Sequence, residues 1–161
     1  VICHSKLFGI PKYVYILEKD YSYTLKYITV LNPLDVDFGS VHQQGNKAIL
    51  HIKKPYAWDG CSGYVWQGDT IAREGWMPEI TPTSGRYTNT LAASLVHDFL
   101  YQYINELATA MGISKSEARK LADKEFYEIL KMTEFSYAWV YYCGVRIFGR
   151  YTHSYMNWIH T

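Results

Sequence analysis

Four side chains in this sequence have the types and spacing to do chemistry: His97, Asp98, Tyr101 and Asp123. On a helix, residues four apart share a face, so His97 and Tyr101 lie together while Asp98 sits about 100° round. A histidine serves as a general base near neutral pH, and it works best with a carboxylate that fixes its tautomer and stabilises the imidazolium. Asp98 points away from that job and is better placed to bind a metal beside the base. Asp123, within Leu121-Ala122-Asp123-Lys124-Glu125-Phe126, is the natural orienting acid. An aspartate among apolar positions is costly to bury without partners, and His97 and Tyr101 are suitable ones. The plainer reading of the same four residues is a buried polar cluster that locks two helices together.

Helices must position them. Leu91, Leu95, Phe99, Tyr103 and Leu107 recur at helical spacing, predicting a helix capped by Asn89 or Thr90, running to about Ala110 and ended by Gly112. Ser114-Lys115-Ser116-Glu117 is a capping-box signature for a second helix that runs to about Met132. The short connection predicts that the two helices pack antiparallel. A third helix is expected from Ser136 to near Gly149. Upstream, residues 13–55 alternate or cluster β-branched and aromatic side chains, as in Tyr23 to Val30 and Ala48 to Ile52. Turns are expected at Asn32-Pro33, Gly39-Ser40 and Gln44-Gly45-Asn46, giving three or four antiparallel strands. Between the halves, residues 56–89 are rich in Gly, Pro, Trp and Ser, and a loop of that length is often functional. The expected fold is α+β in a single domain spanning residues 1–161. Within it, residues 1–55 are β-rich, 56–89 form a loop, 90–150 hold three helices and 151–161 make a tail.

Composition narrows the function. At 161 residues the chain is long enough to bury a core. With 16 basic and 15 acidic side chains it lacks the basic surface that broad nucleic-acid binding needs, so no nucleic-acid partner is expected. Sixteen tyrosines, with five Trp and six Phe, suit a lipid–water interface or a large protein assembly. Cys3, Cys61 and Cys143 imply neither a disulfide framework nor a zinc site. No signal peptide or membrane span is evident, which predicts synthesis in the cytoplasm without classical export.

Other candidates carry weaker signals. Asp59-Gly60-Cys61-Ser62-Gly63 reads equally as a structural turn or as a loop offering backbone oxygens to an ion. Cys61 reads as a packing residue, and His4, His42, His51, His153 and His160 as ordinary strand or loop residues. Arg146 and Arg150, four apart on one face, read either as a pair that meets phosphate or acidic partners or, more simply, as a solvated face.

The segment Ala92-Ala93-Ser94-Leu95-Val96-His97-Asp98-Phe99-Leu100-Tyr101, followed by Ala122-Asp123-Lys124-Glu125-Phe126, resembles the active site of phospholipase A2 enzymes, most closely the parvoviral form. That resemblance implies His97 as the base that activates water, Asp98 as a calcium ligand, and Asp123 as the acid that orients His97 with help from Tyr101. Gly60 and Ser62 are the loop positions it offers as further calcium ligands. The phospholipase calcium loop has no close copy, and the Asp59 loop lies farther upstream of His97 than in that family. A second resemblance spans roughly Pro55 to Gly149. Asp59-Gly60-Cys61-Ser62, His97-Asp98, Ala122-Asp123 and Val145-Arg146-Ile147-Phe148-Gly149 occur in the order of an uncharacterised bacteriophage and prophage family, although Gly63-Tyr64 replaces that family's usual proline.

Together these features predict a phage-type, calcium-assisted lipid-ester hydrolase acting at a phospholipid or membrane surface. The alternative is a non-catalytic virion protein of tail or connector type, incorporated in the phage particle and contacting other virion proteins. A His-Asp metal phosphohydrolase is the third reading. It needs upstream histidines on helices, whereas His42 and His51 fall in the strand-like half.

Overall fold

Seven strands and four helices make up a computed structural model that describes residues 15–58, 60, 80–82 and 90–156, with the backbone alone described for 80–82 and 148–156. The order is β1 (Tyr15–Leu17), β2 (Tyr21–Leu25), β3 (Leu34–Val36), β4 (Gly39–Gln44), β5 (Lys47–Ile52), β6 (Ala57–Trp58), β7 (Ile80–Pro82), α1 (Leu91–Gln102), α2 (Ile104–Met111), α3 (Lys115–Met132) and α4 (Ala138–Met156). The class is α+β, as expected.

The strands form two antiparallel sheets, ordered β2-β5-β4-β3 and β6-β1-β7. The turn expected around Gly45-Asn46 closes the β4–β5 hairpin, where Gln44 pairs with Lys47. Two expectations need correction. Gly39 and Ser40 open β4 rather than forming a turn, and the chain reverses between Val36 and Gly39 instead. The strand expected from Tyr23 to Val30 stops at Leu25. Its missing length is explained by competing acceptors: the amides of Tyr27 and Ile28 donate to Glu125 Oε1, that of Val30 to Gln43 Oε1, and that of Leu31 to the Ala110 carbonyl. Two short strands, β6 and β7, lie inside the stretch expected to be loop, and both pair with β1.

One hydrophobic cluster joins sheet and helices, with Leu25, Val41, Leu50 and Ile52 from the strands and Leu95, Phe99, Phe126 and Ile129 from the helices. At Gly39 a Cβ would stand 2.1 Å from the His51 carbonyl oxygen and 2.9 Å from the Phe99 ring, so only glycine lets α1 approach the sheet this closely. Trp58 Nε1 donates to Ser94 Oγ at 3.1 Å and Tyr56 OH to Gln102 Oε1 at 2.9 Å, tying the chain around β6 to α1.

The helical half departs from expectation in number. The first predicted helix is interrupted at Tyr103, and α2 follows as a separate element ended by Gly112 in the left-handed conformation (φ 69°). No Gly or Pro marks the break. It accompanies long-range packing, since the last turn of α2 supplies Ala110 O to the amides of Leu31 and Asn32 at 2.8 and 3.2 Å. Thr90 occupies the N-cap of α1, where its side chain makes no capping hydrogen bond, while the Ser114–Glu117 capping box of α3 is present in full. The last helix starts at Ala138 and continues through Gly149 to Met156, past the expected end and into the expected tail. A glycine weakens a helix by only about 1 kcal/mol and does not stop it alone.

Candidate functional site

α1 and α3 bring the four sequence candidates into one region. Ala92, Ala93, Ala118 and Ala122 are all buried, and small side chains let helices approach closely. Asp123 is fully buried, and His97 is 8% exposed. His97 Nε2 lies 2.9 Å from Asp123 Oδ1, and the Tyr101 hydroxyl donates to the same oxygen at 2.7 Å. The rings of His97 and Tyr101 are 4.2 Å apart, centroid to centroid, and the Phe126 ring stands 5.0 Å from the imidazole.

The electrostatics assign the proton. Burial alone would raise the Asp123 carboxyl, but the bonds and charge of His97, with Tyr101 and Arg146, outweigh it and hold the pKa below its ordinary 3.8. An ionised carboxylate only accepts, so Nε2 carries a hydrogen and donates it. Nδ1 is then the ring atom that gains or loses a proton. Burial opposes charge on His97, yet the hydrogen bond to Asp123 and the charges of Asp123 and Asp98 prevail and raise its pKa above 6.5. The arrangement holds imidazolium well. It is also the arrangement in which a base, once it takes a proton from water, is stabilised by its carboxylate.

Asp98 stands on the reactive side of that ring. Its Oδ1 lies 3.8 Å from His97 Nδ1, longer than a hydrogen bond, and its side chain keeps 19% exposure. Burial pushes its carboxyl upward against the opposing pull of His97. Asp98 is therefore the one described carboxylate next to Nδ1 with capacity for a cation. Calcium takes about six to eight oxygens, and among the described residues no group of three or more His, Cys, Asp or Glu side chains is placed to hold a metal. Of the two loop positions, Ser62 lies outside the described residues. Gly60 has φ +78°, and a Cβ there would meet the Tyr15 ring at 2.7 Å. Its glycine thus has a structural reason of its own, independent of any ion.

Arg146 reads from sequence first as one edge of a solvated face, and the structure corrects that in favour of the other reading, an acidic partner. It reaches from α4 to Asp123, with Nη1 donating to Oδ2 at 2.7 Å. The fully buried carboxylate accounts for the contact, since a third donor satisfies the oxygen that His97 and Tyr101 leave open. The only signal in the sequence is an acid expected to be buried without a cation assigned to it. Arg150 and Cys61 fall outside the residues whose side chains are described. His42 and His51 behave as surface strand residues, facing Asp35 and Asp20.

The region holding the site matches a family model described as "Protein of unknown function (DUF1353)" over residues 58–145, more than half of the chain. The chain belongs to the DUF1353 family. The DUF1353 match covers His97, Asp98, Tyr101, Arg119 and Asp123, stops one residue before Arg146, and leaves the β2–β5 sheet outside. This agrees with the expectation of an uncharacterised family. No curated protein and no solved structure matches the chain. Among the described residues, no helix is long and apolar enough to cross a membrane.

Proposed function

We propose that this DUF1353 chain is a phospholipase A2-like ester hydrolase in which His97, oriented by Asp123 and Tyr101, removes a proton from the water that attacks a lipid ester. The observation that carries the reading is the shared acceptor: His97 Nε2 and the Tyr101 hydroxyl both meet Asp123 Oδ1, at 2.9 and 2.7 Å. This fixes the imidazole so that Nδ1 alone handles the proton. Water gives its proton to Nδ1 as its oxygen bonds to the ester carbonyl carbon, and the proton then passes to the departing alcohol. Calcium is the proposed cofactor, with Asp98 as its side-chain ligand and the loop of Gly60 and Ser62 as the backbone source. Its chemistry would be stabilisation of the developing oxyanion. The deciding experiment is hydrolysis of phospholipid vesicles by wild type and His97→Ala, with calcium and with chelator. Calcium-dependent cleavage lost in the variant supports the mechanism, and equal rates in both proteins remove it.

A second reading is favoured by a specific observation. Asp123, on α3, accepts from donors on two other helices, His97 and Tyr101 on α1 and Arg146 on α4, which is also how a buried cluster locks a helical core. In that reading the chain is a phage virion protein of tail or connector type, made in the bacterial host cytoplasm and built into the particle. The exposed Trp139, Val140 and Ile147 of α4 would contact neighbouring virion proteins. The ordered motifs between Asp59 and Gly149 support a phage origin. Mass spectrometry of purified particles tests it, and absence of the chain from them counts against a virion role.

A further inference from the structure

Among the described residues, Arg119 is a cation without a counter-ion. It sits on α3 one turn before Asp123, about 6 Å along the helix axis. Its Nε is buried and has no hydrogen-bond partner, and no carboxylate pairs with it among the described residues. A guanidinium cannot shed its charge, so a buried, unbonded N–H is an open position for an acceptor.

The groups nearest to it around the dyad are cationic or already engaged. Arg119 and Arg146 both act on Tyr101 from outside Asp123, each favouring the phenolate. Lys115, one turn further back on α3, feels the Arg119 charge as repulsion. Arg146 spends Nη1 on Asp123 Oδ2, while 37% of its side chain remains exposed. Asp123 already accepts from three donors, and Asp98 lies beyond His97, on its Nδ1 side. Glu106, on α2, attracts Lys115, and no carboxylate among the described residues pairs with Arg119.

We propose that Arg119, with the exposed portion of Arg146, forms an anion subsite that takes the phosphodiester of a lipid head group. The forked guanidinium geometry matches phosphate oxygens. In a glycerophospholipid the phosphate and the scissile ester are joined through one glycerol unit, so an anion site one helical turn from the dyad suits a substrate carrying both. The lipid identity rests on the hydrolase reading given above, whereas the anion subsite stands on Arg119 itself.

Calorimetric titration of wild type, Arg119→Gln and Arg119→Lys with soluble glycerophosphocholine and with inorganic phosphate tests the subsite. The expected result is diester binding by wild type that weakens at least tenfold in Arg119→Gln and several-fold in Arg119→Lys. No binding by wild type, or equal affinity in wild type and variants, overturns the subsite. Binding of inorganic phosphate without the diester overturns the head-group assignment. Arg119→Gln is expected to melt no lower than wild type, because its Nε has no protein partner to lose. If that variant does not fold, Arg119→Lys decides by the same criterion. Ester cleavage is measured separately on phospholipid vesicles. Diester binding without cleavage keeps the subsite and removes the hydrolase, while cleavage with unchanged KM and binding in Arg119→Gln does the reverse.

Discussion

Arg146 Nη1 closes to 2.7 Å on Asp123 Oδ2, the carboxylate oxygen that His97 does not use. The contact recruits α4 to a site otherwise built from α1 and α3. It also changes what Asp123 can do: with Arg146 in place, the carboxylate stays ionised and orients the imidazole without accepting its proton. Removing Arg146 takes a charge-assisted bond from a buried acid.

Arg146→Gln is therefore expected to destabilise the fold by about 1.5–3 kcal/mol, the range for a hydrogen bond to a charged group. Urea unfolding of the two proteins checks it, and an unchanged midpoint would mean that Arg146 contributes nothing to the buried carboxylate.

The His97 imidazole is expected to titrate above 6.5 in wild type, because Asp123 and Asp98 together overcome burial. Asp123→Asn and Asp98→Asn should each lower that value, as each removes a charge that raises it. Proton–nitrogen NMR of His97 reads the shift directly. If the hydrolase reading holds, the acid limb of the rate profile lies above 6.5 as well, since Nδ1 must be free to accept.

Stability should carry the same signature in two windows. A raised His97 pKa contributes stability that is fully present below 6.5 and is lost as pH rises through the folded-state value. A lowered Asp123 pKa contributes stability present above 3.8 and lost as pH falls through its folded-state value. Melting temperature against pH for wild type and His97→Gln separates them: the variant should lack the alkaline loss.

On the hydrolase reading, His97→Ala is expected to reduce ester hydrolysis by about 10²–10⁴-fold, the span for a general base. Tyr101→Phe, which removes one of three donors to Asp123, should reduce it far less. Initial rates on phospholipid vesicles give both numbers, and a larger loss in Tyr101→Phe would exchange the roles assigned to the two rings.

Glu125 supports the fold away from the site. Its Oε1 accepts from the amides of Tyr27 and Ile28, while burial, opposed by these bonds, raises its pKa. Glu125→Ala leaves buried amides unpaired and is expected to cost about 1–3 kcal/mol, measured by chemical denaturation. Protection of the Tyr27 and Ile28 amides from hydrogen exchange should fall in parallel.

Local sequence determined the elements whose signals are local. The Ser114–Glu117 box and the left-handed Gly112 set the boundary between α2 and α3, because capping depends on residues within one turn. The i, i+4 spacing places His97 beside Tyr101 on one face, and the cost of burying Asp123 points to both as partners. Tertiary structure decided whatever depended on distant acceptors and donors. Residues 26–30 carry a strand-like pattern, yet their amides go to Glu125 and Gln43, so β2 ends early. The helix break at Tyr103 has no breaker residue, and the pairing of Trp58 with Tyr15 inside the expected loop has no turn signal. Arg146 reads as solvated because helical spacing reports which residues share a face, and only packing against α3 shows that the face meets Asp123. Arg119 is the converse: its Nε is buried without a hydrogen-bond partner, a feature that no spacing rule can register.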